Sequence, residues 1–358
     1  MKCVRACGRS TRTPVMYIDC NIGGTVSGSD EAGIARLIAQ AARAERIGFD
    51  GIWSTDVDRD PFLPLAIAAM TTADVQLGTG VAVAFARNPM TTAMAANDLQ
   101  EMSGGRFVLG LGTQIQAHIE RRFSMPWSAP ADRMCEYVHA LRAIWQSWRS
   151  GERLDFRGVH YQHTLMTPMF TPTPHPYGDP KIVVSAVGPK MTQAAARVAD
   201  GLLVHGFTTR RYLCEITLPA VTTVLHETGR MRSDLTVSYP GLIASGRTDR
   251  EITHAVEAVR RQIAFYGSTP AYRHVLELHG WHDLHAELHR LSKTGDWTTM
   301  AALIDDEILD AFAVVGEPAE IGPKVLSRFS GLVDRFTLLT PYPLAEEAAA
   351  AIVAGMRS

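Results

Sequence analysis

The sequence predicts an α/β fold, a (β/α)8 TIM barrel carrying two insertions. Three observations predict it. Short apolar runs alternate with longer stretches of helical period, eight times over. Eight such units imply a parallel sheet closed on itself, where an open doubly wound sheet would show the alternation without that count. The runs are rich in Val, Ile and Leu with little polar alternation, as strands covered on both faces should be. The length, 358 residues, falls in the span of such barrels, about 200 to over 400 residues.

"VMYIDCNI" (Val15 to Ile22) reads as the first strand. The helix after it spans "SDEAGIARLIAQAARAERIG". Ser29 or Asp30 caps its start, Ile34, Leu37, Ile38 and Ala41 form one face, and Gly48 ends it. "FDGIWS" is the second strand. Asp60 and Pro61 open the second helix, with Asp60 as its cap and proline where a missing N–H costs nothing. "VQLGTGVAVAF" is the third strand, and Asn88 and Pro89 repeat the cap-then-proline start of a helix running to Met102. Ser103, Gly104 and Gly105 end that helix and turn the chain into "RFVLGLG", the fourth strand. A long helix covers about Ala131 to Arg149. "KIVVSA" is the fifth strand with "MTQAAARVA" its helix, and "GLLVH" is the sixth with a helix through Val221. "LTVSYPGLIA" is the seventh strand. "AEIGPKVLSRF" forms a helix leading to "VDRFTLL", the eighth strand, and Ala345 to Met356 closes the chain.

The expected organisation is a basic tail over residues 1–14, flexible in character, and one barrel domain over 15–358. Insertions interrupt the barrel at about 157–180, rich in Pro and Thr, and about 248–315, largely helical. A net charge of −2 argues against nucleic-acid and membrane-surface partners, which need a basic excess. No apolar run is long enough to span a bilayer, and the basic start lacks the apolar segment of a secretory signal. Five cysteines, Cys3, Cys7, Cys20, Cys135 and Cys214, suit free thiols in a reducing cytoplasm. Cys3 and Cys7 have no second ligand pair nearby, so no metal is expected. His282, His285 and His289 fall on one side of a helix opposite Leu284, Leu288 and Leu291, and read as its solvated face.

Barrel enzymes work at the C-terminal ends of their strands. Those ends bring forward Asp56, Arg87, Thr113, Gln114, His118, Glu120, Val187, Gly188 and His205. Asp56 is the only carboxylate at the very end of an early strand. Its position suits a cofactor-holding or proton-moving acid, and equally a loop carboxylate. "SAVGPK" (Ser185 to Lys190) places free N–H groups at a helix start, the makings of an anion site or of an ordinary tight turn. "GLGTQI" is not a dinucleotide fingerprint, because Ile115 stands where the third glycine belongs. No G-x-S-x-G supports a hydrolase nucleophile.

Several stretches together resemble the luciferase-like monooxygenase family: "GFDGIWSTD", "LGTGVAVAFARNPMTTA", "LQEMSGGRFVLGLGTQ", "VVSAVGP", "VADGLLVH" and "AVVGEPAEI…GLVDRFTLL". Their order and spacing cover the chain from about Tyr17 to Leu339. "RNP" with "SGGRF…LGLGT" looks most like the branch using the deazaflavin coenzyme F420. The resemblance implies a bacterial luciferase-like barrel with the cofactor ring across its mouth. A bulge in strand three with a non-prolyl cis peptide, here at Gly80–Val81, would back the ring, together with Val83 and Phe85. Asp56, Thr113 and Gln114 match ring-contacting positions, Gly110 and Gly112 would let the ring approach, and Val187, Gly188 and Lys190 match the phosphate turn. Relatives with His after the acid and Glu two places after the threonine are not matched, since Val57 and Ile115 stand there. Asp56 and His118 are then the candidates for proton transfer, with Glu120 and His205 as further possibilities.

The expected activity is hydride transfer between F420 and a small organic substrate. The alternatives are an FMN-dependent monooxygenase served by a separate flavin or F420 reductase, and a non-catalytic flavin-binding barrel. A homodimer is the default assembly.

Overall fold

In a computed structural model, which describes residues 16–23 and 33–357, the eight expected strands form a closed parallel ring. They are β1 (Tyr17–Ile22), β2 (Gly51–Ser54), β3 (Gln76–Thr79) with its continuation β4 (Ala82–Val83), and β5 (Phe107–Gly112). A short antiparallel hairpin, β6 (Phe156–Arg157) and β7 (Gln162–His163), precedes β8 (Lys181–Ala186). The ring goes on through β9 (Gly201–Val204) and β10 (Thr236–Ser245), while β11 (Ala313–Gly316) lies outside it, followed by β12 (Arg335–Leu339). Pairing runs β1–β2–β3–β5–β8–β9–β10–β12, and Tyr17 opposite Arg335 closes the circle. β11 pairs only with the second half of β10, Leu242 opposite Ala313. The tail, Cys3, Cys7 and the caps Ser29 and Asp30 lie outside the described residues. Among the described residues no helix is long and apolar enough to cross a membrane.

Local signals are realised where they were read. Asn88 Oδ1 accepts the Thr91 N–H at 3.0 Å at the head of the Pro89–Met102 helix. At the second helix the expectation shifts by one residue: the helix starts at Phe62 with Pro61 in the cap position, and Asp60 Oδ1 accepts the Phe62 N–H at 2.9 Å from just outside it. Gly104 and Gly105 take φ of 64° and 88°, a conformation that glycine enters at little cost. Arg106, next in line, donates to the carbonyls of Ala69, Thr72, Val75 and Ser103. It thus stitches the end of the Phe62–Thr71 helix to the start of β5. The helix after β9 is longer than expected. It passes through a π-turn at Leu213–Thr217 and ends at Glu227.

One core lies between the ring and its helices. A second is built by the helices between β10 and β11, whose Val259, Ile263, Leu288 and Phe312 pack with Phe207 and Leu242 from the barrel. Inside the ring, near its N-terminal end, the filling is partly ionic. Arg335 forks onto buried Asp19 at 2.6 and 2.8 Å, and Trp53 Nε1 donates to the same carboxylate at 3.0 Å. Burial works against the Arg335 charge, yet Asp19 outweighs it and holds the guanidinium above its ordinary range.

Two expectations change here. His285 and His289 are half-buried, and their Nδ1 atoms pair with the carbonyls of Gly267 and Ser268 at 2.8 and 3.0 Å. They satisfy the end of the Asp249–Gly267 helix instead of facing solvent. Gly110 and Gly112 are required small by neighbouring chain, a reason the sequence did not show. A Cβ on Gly110 would lie 1.8 Å from the Thr79 carbonyl oxygen, and one on Gly112 would lie 2.6 Å from Val81 Cγ2.

Candidate functional site

The strand ends assemble a patch at the C-terminal mouth. Strand three breaks after Thr79, the Gly80–Val81 peptide is cis, and β4 resumes the pairing with β5. Gly80 donates to the Ser54 carbonyl at 2.7 Å, and Asp56 donates its N–H to the Val81 carbonyl at 3.2 Å. Gly80 and Val81 remain half-exposed while Thr79, Ala82 and Val83 are buried. The bulge is therefore the accessible part of an otherwise closed strand.

Asp56 is buried and committed. Its Oδ2 accepts the Val83 N–H at 3.0 Å and Arg87 Nη1 at 2.5 Å, and Arg87 Nη2 reaches Asp60 at 2.9 Å. Burial opposes the Arg87 charge, but Asp56 and Asp60 overcome it and raise the guanidinium above its usual value. Arg87 belongs to the "RNP" stretch, so its presence was legible, but its partner 31 residues earlier was not.

Thr113 and Gln114 follow β5 and are half-exposed. Gln114 takes φ of 61°, and its Oε1 accepts the Ile115 N–H at 3.1 Å. Thr113 Oγ1 donates to the Gln114 carbonyl at 2.9 Å. This knot fixes the turn into the Gln116–Arg121 helix. His118 sits on that helix, exposed, with no side-chain bond to another candidate among the described residues. Glu120 bonds Gln116 at 3.0 Å. Phe85 is fully buried beneath Arg133, 4.3 Å above its ring, with Trp127 edge-on, so it braces the bulge from behind and does not face the mouth.

Val187 and Gly188 follow β8, half-exposed, and lead into the Pro189–Val198 helix, whose first turn has no side-chain cap. Lys190 is exposed on that turn. Sequence reasoning missed His274, which comes over from the insertion. Its Nε2 is buried without a partner and lies 3.9 Å from where a Cβ on Gly188 would stand. An uncapped helix start facing an orphaned imidazole nitrogen fits an anionic oxygen.

His205 stands next to Val187 one strand over, since Ala186 pairs with Val204. Tyr272 and Tyr266 close on its ring at centroid distances of 4.5 and 4.9 Å. Burial pushes His205 down to about 4, so it is neutral near pH 7. No local signal pointed to the two tyrosines. Among the described residues no group of three or more potential ligands can hold a metal.

A closed parallel barrel whose accessible bulge and uncapped helix start gather at the C-terminal mouth has the frame of a barrel enzyme. Residues 16–335 match the luciferase-like monooxygenase family, and the chain belongs to it. It is an oxidoreductase of that family, whose fold is shared by solved enzymes described as F420-dependent and by others solved with FMN. An uncharacterized protein of Mycobacterium tuberculosis is 54% identical over 310 residues, covering 87% of this chain and 91% of that one. The 5,10-methylenetetrahydromethanopterin reductase of Archaeoglobus fulgidus is 31% identical over 288 residues, covering 78% and 81%. Among solved structures, the coenzyme F420-dependent tetrahydromethanopterin reductase of Methanopyrus kandleri superposes with a TM-score of 0.77 at 20% identity, covering 94% and 97%. The EDTA monooxygenase of Chelativorans sp. BNC1 superposes with a TM-score of 0.70 at 16% identity, covering 96% and 93%. The likeness to both solved structures is one of fold.

Proposed function

We propose that this enzyme transfers a hydride between coenzyme F420 and a small organic substrate. The observation that carries the reading is the half-exposed Gly80–Val81 bulge, set between Asp56 and the end of β5 at the mouth. The likeness to a methylenetetrahydromethanopterin reductase at 31% identity, with a Methanopyrus kandleri tetrahydromethanopterin reductase described as F420-dependent, supports F420 over FMN. When bound, the deazaflavin supplies two-electron hydride chemistry.

The chain's own residues orient and hold. Gly80 and Val81 back one face of the ring, Val83 stiffens the bulge from within, and Thr113 and Gln114 border it. Asp56 keeps β4 and Arg87 in place, since the Val83 N–H and the Arg87 guanidinium both donate to its Oδ2. The N–H groups of Val187, Gly188 and Lys190 receive the phosphate, aided by the helix dipole. His118 lies outside this arrangement.

Titration of the purified protein with F420 and with FMN tests the proposal. Tight F420 binding with weak FMN binding is expected. Tight FMN binding without F420 binding overturns it in favour of a monooxygenase. We also propose a cytoplasmic homodimer. Leu63, Met70 and Met94 are 68%, 79% and 53% exposed on two helices that pack together, an apolar face suited to a second copy. Light scattering reading a monomer at micromolar concentration refutes the dimer.

A further inference from the structure

His205 is held in one tautomer. The Phe207 backbone N–H donates to its Nδ1 at 2.9 Å, so Nδ1 carries the lone pair and the proton resides on Nε2. Along β9, Leu202 and Val204 pack among the outer helices, while a Cβ on Gly201 would meet Val183 and Thr236 of the ring interior. Alternation therefore turns His205 inward, over the mouth. Tyr266 and Tyr272 descend from the insertion onto its ring, and Phe207 backs both at 6.1 and 6.2 Å. Phe207 in turn stacks on Phe312 at 4.5 Å and 17°, so the cluster rests on the insertion's own core.

The His205 Nε2–H and the Tyr266 and Tyr272 hydroxyls make no hydrogen bond to any described residue, and all three stay accessible. Three unshared donors thus share one aromatic enclosure at the working face, with no carboxylate or cation among the rings. Burial lifts the Tyr266 hydroxyl to about 12 and raises Tyr272 as well. Such groups donate hydrogen bonds without ionising. A site with aromatic walls, one imidazole N–H and two free hydroxyls favours a flat, unsaturated group bearing an acceptor oxygen, because an oxygen-free analogue leaves all three donors unpaired.

We propose that His205, Tyr266 and Tyr272 form the substrate subsite and receive the carbonyl oxygen of a planar conjugated substrate on the Nε2–H of His205. This rests on the hydride-transfer reading for its meaning as a substrate site, but the binding it predicts does not need the cofactor. It gives the 248–315 insertion its role: the tyrosines that define specificity arrive on it.

The test uses the full-length protein and two probes of one shape, 2-naphthaldehyde and the oxygen-free 2-vinylnaphthalene. Binding is followed by fluorescence and by the 15N resonance of the His205 Nε2–H. The aldehyde is expected to bind at least about tenfold more tightly than the hydrocarbon, as a buried donor left unpaired implies. It should also move the His205 resonance. Tyr272→Phe and Tyr266→Phe, which remove only hydroxyls, should each cut that preference several-fold, and His205→Phe should abolish it. Equal binding of the two probes, or a preference that survives in all three variants, overturns the subsite. The same variants are titrated with F420. Loss of F420 binding in Tyr272→Phe with no aldehyde preference assigns the cluster to the cofactor and overturns the subsite. Failure of the wild type to bind F420 refutes the hydride-transfer reading alone, since the aldehyde preference is measured without it.

Discussion

Asp56 is the residue on which a structural and a chemical reading diverge, and substituting it separates them. Both side-chain bonds of Asp56 end on Oδ2, one from the Val83 N–H and one from Arg87. In Asp56→Ala the Val83 N–H, on a residue 1% exposed, loses its acceptor. A buried donor left unsatisfied costs about 1–3 kcal/mol. Arg87 keeps Asp60 at 2.9 Å and is 20% exposed in its side chain, so the broken ion pair adds only about 1 kcal/mol. The sum is about 2–4 kcal/mol, measured by urea denaturation, with a matching fall in cofactor affinity as β4 loosens. Asp56→Asn keeps an oxygen for Val83 and drops only the charge, so it should cost about 1 kcal/mol and slow turnover modestly. The reasoning fails if Asp56→Ala is as stable as the wild type. It fails differently if Asp56→Asn folds normally yet loses turnover by about 100-fold or more, the scale of a lost proton-transfer group. In that case the carboxylate moves a proton, and its hold on the bulge is incidental.

Three further outcomes follow from the packing. Gly110→Ala places a Cβ against the Thr79 carbonyl, which cannot move without parting β3 from β5; it should destabilise by about 3 kcal/mol or more, while Gly188→Ala, whose nearest neighbour is 3.8 Å away, should stay within about 1 kcal/mol of wild type in the same denaturation assay. Asp19→Ala leaves buried Arg335 and the Trp53 N–H without their acceptor, a loss of about 3–5 kcal/mol that adding Arg335→Met should partly restore; an unchanged urea midpoint in the single variant would count against an ionic filling of the barrel. His205 titrates near 4 in the folded chain against an ordinary 6.5, so the unfolded chain binds the extra proton between those values and stability falls as pH drops from 6.5 to 4. The loss is at most about 3 kcal/mol. His205→Asn should flatten that part of the pH profile, and an identical acid slope in both proteins would show that the imidazole is not held neutral.

Most of the fold was legible because its signals are local. A strand covered on both faces reads as an unbroken apolar run, and Asn88 with Pro89 or Gly104 with Gly105 act within three or four residues of themselves. The site is legible only where it borrows such signals: Val187, Gly188 and Pro189 announce a helix start by their own backbone. What decides chemistry at the other positions comes from far along the chain. Gly110 looked small for a ligand's sake, yet the atom it makes room for is the Thr79 carbonyl, brought there by strand pairing. Asp56 could be a working acid or a loop carboxylate by sequence, and it is Val83 on β4 and Arg87 just beyond the following turn that commit it. His118 and His205 are both strand-end histidines by sequence. One stands in solvent on a short helix, and the other is locked into a single tautomer and walled by two tyrosines from about sixty residues downstream. The residue type is the same in both. The difference lies in which segments the barrel brings over each strand end, and the insertion after β10 supplies it at β9 and not at β5. A search for the substrate of this enzyme is therefore best directed at the insertion, whose contacts the barrel motifs do not encode.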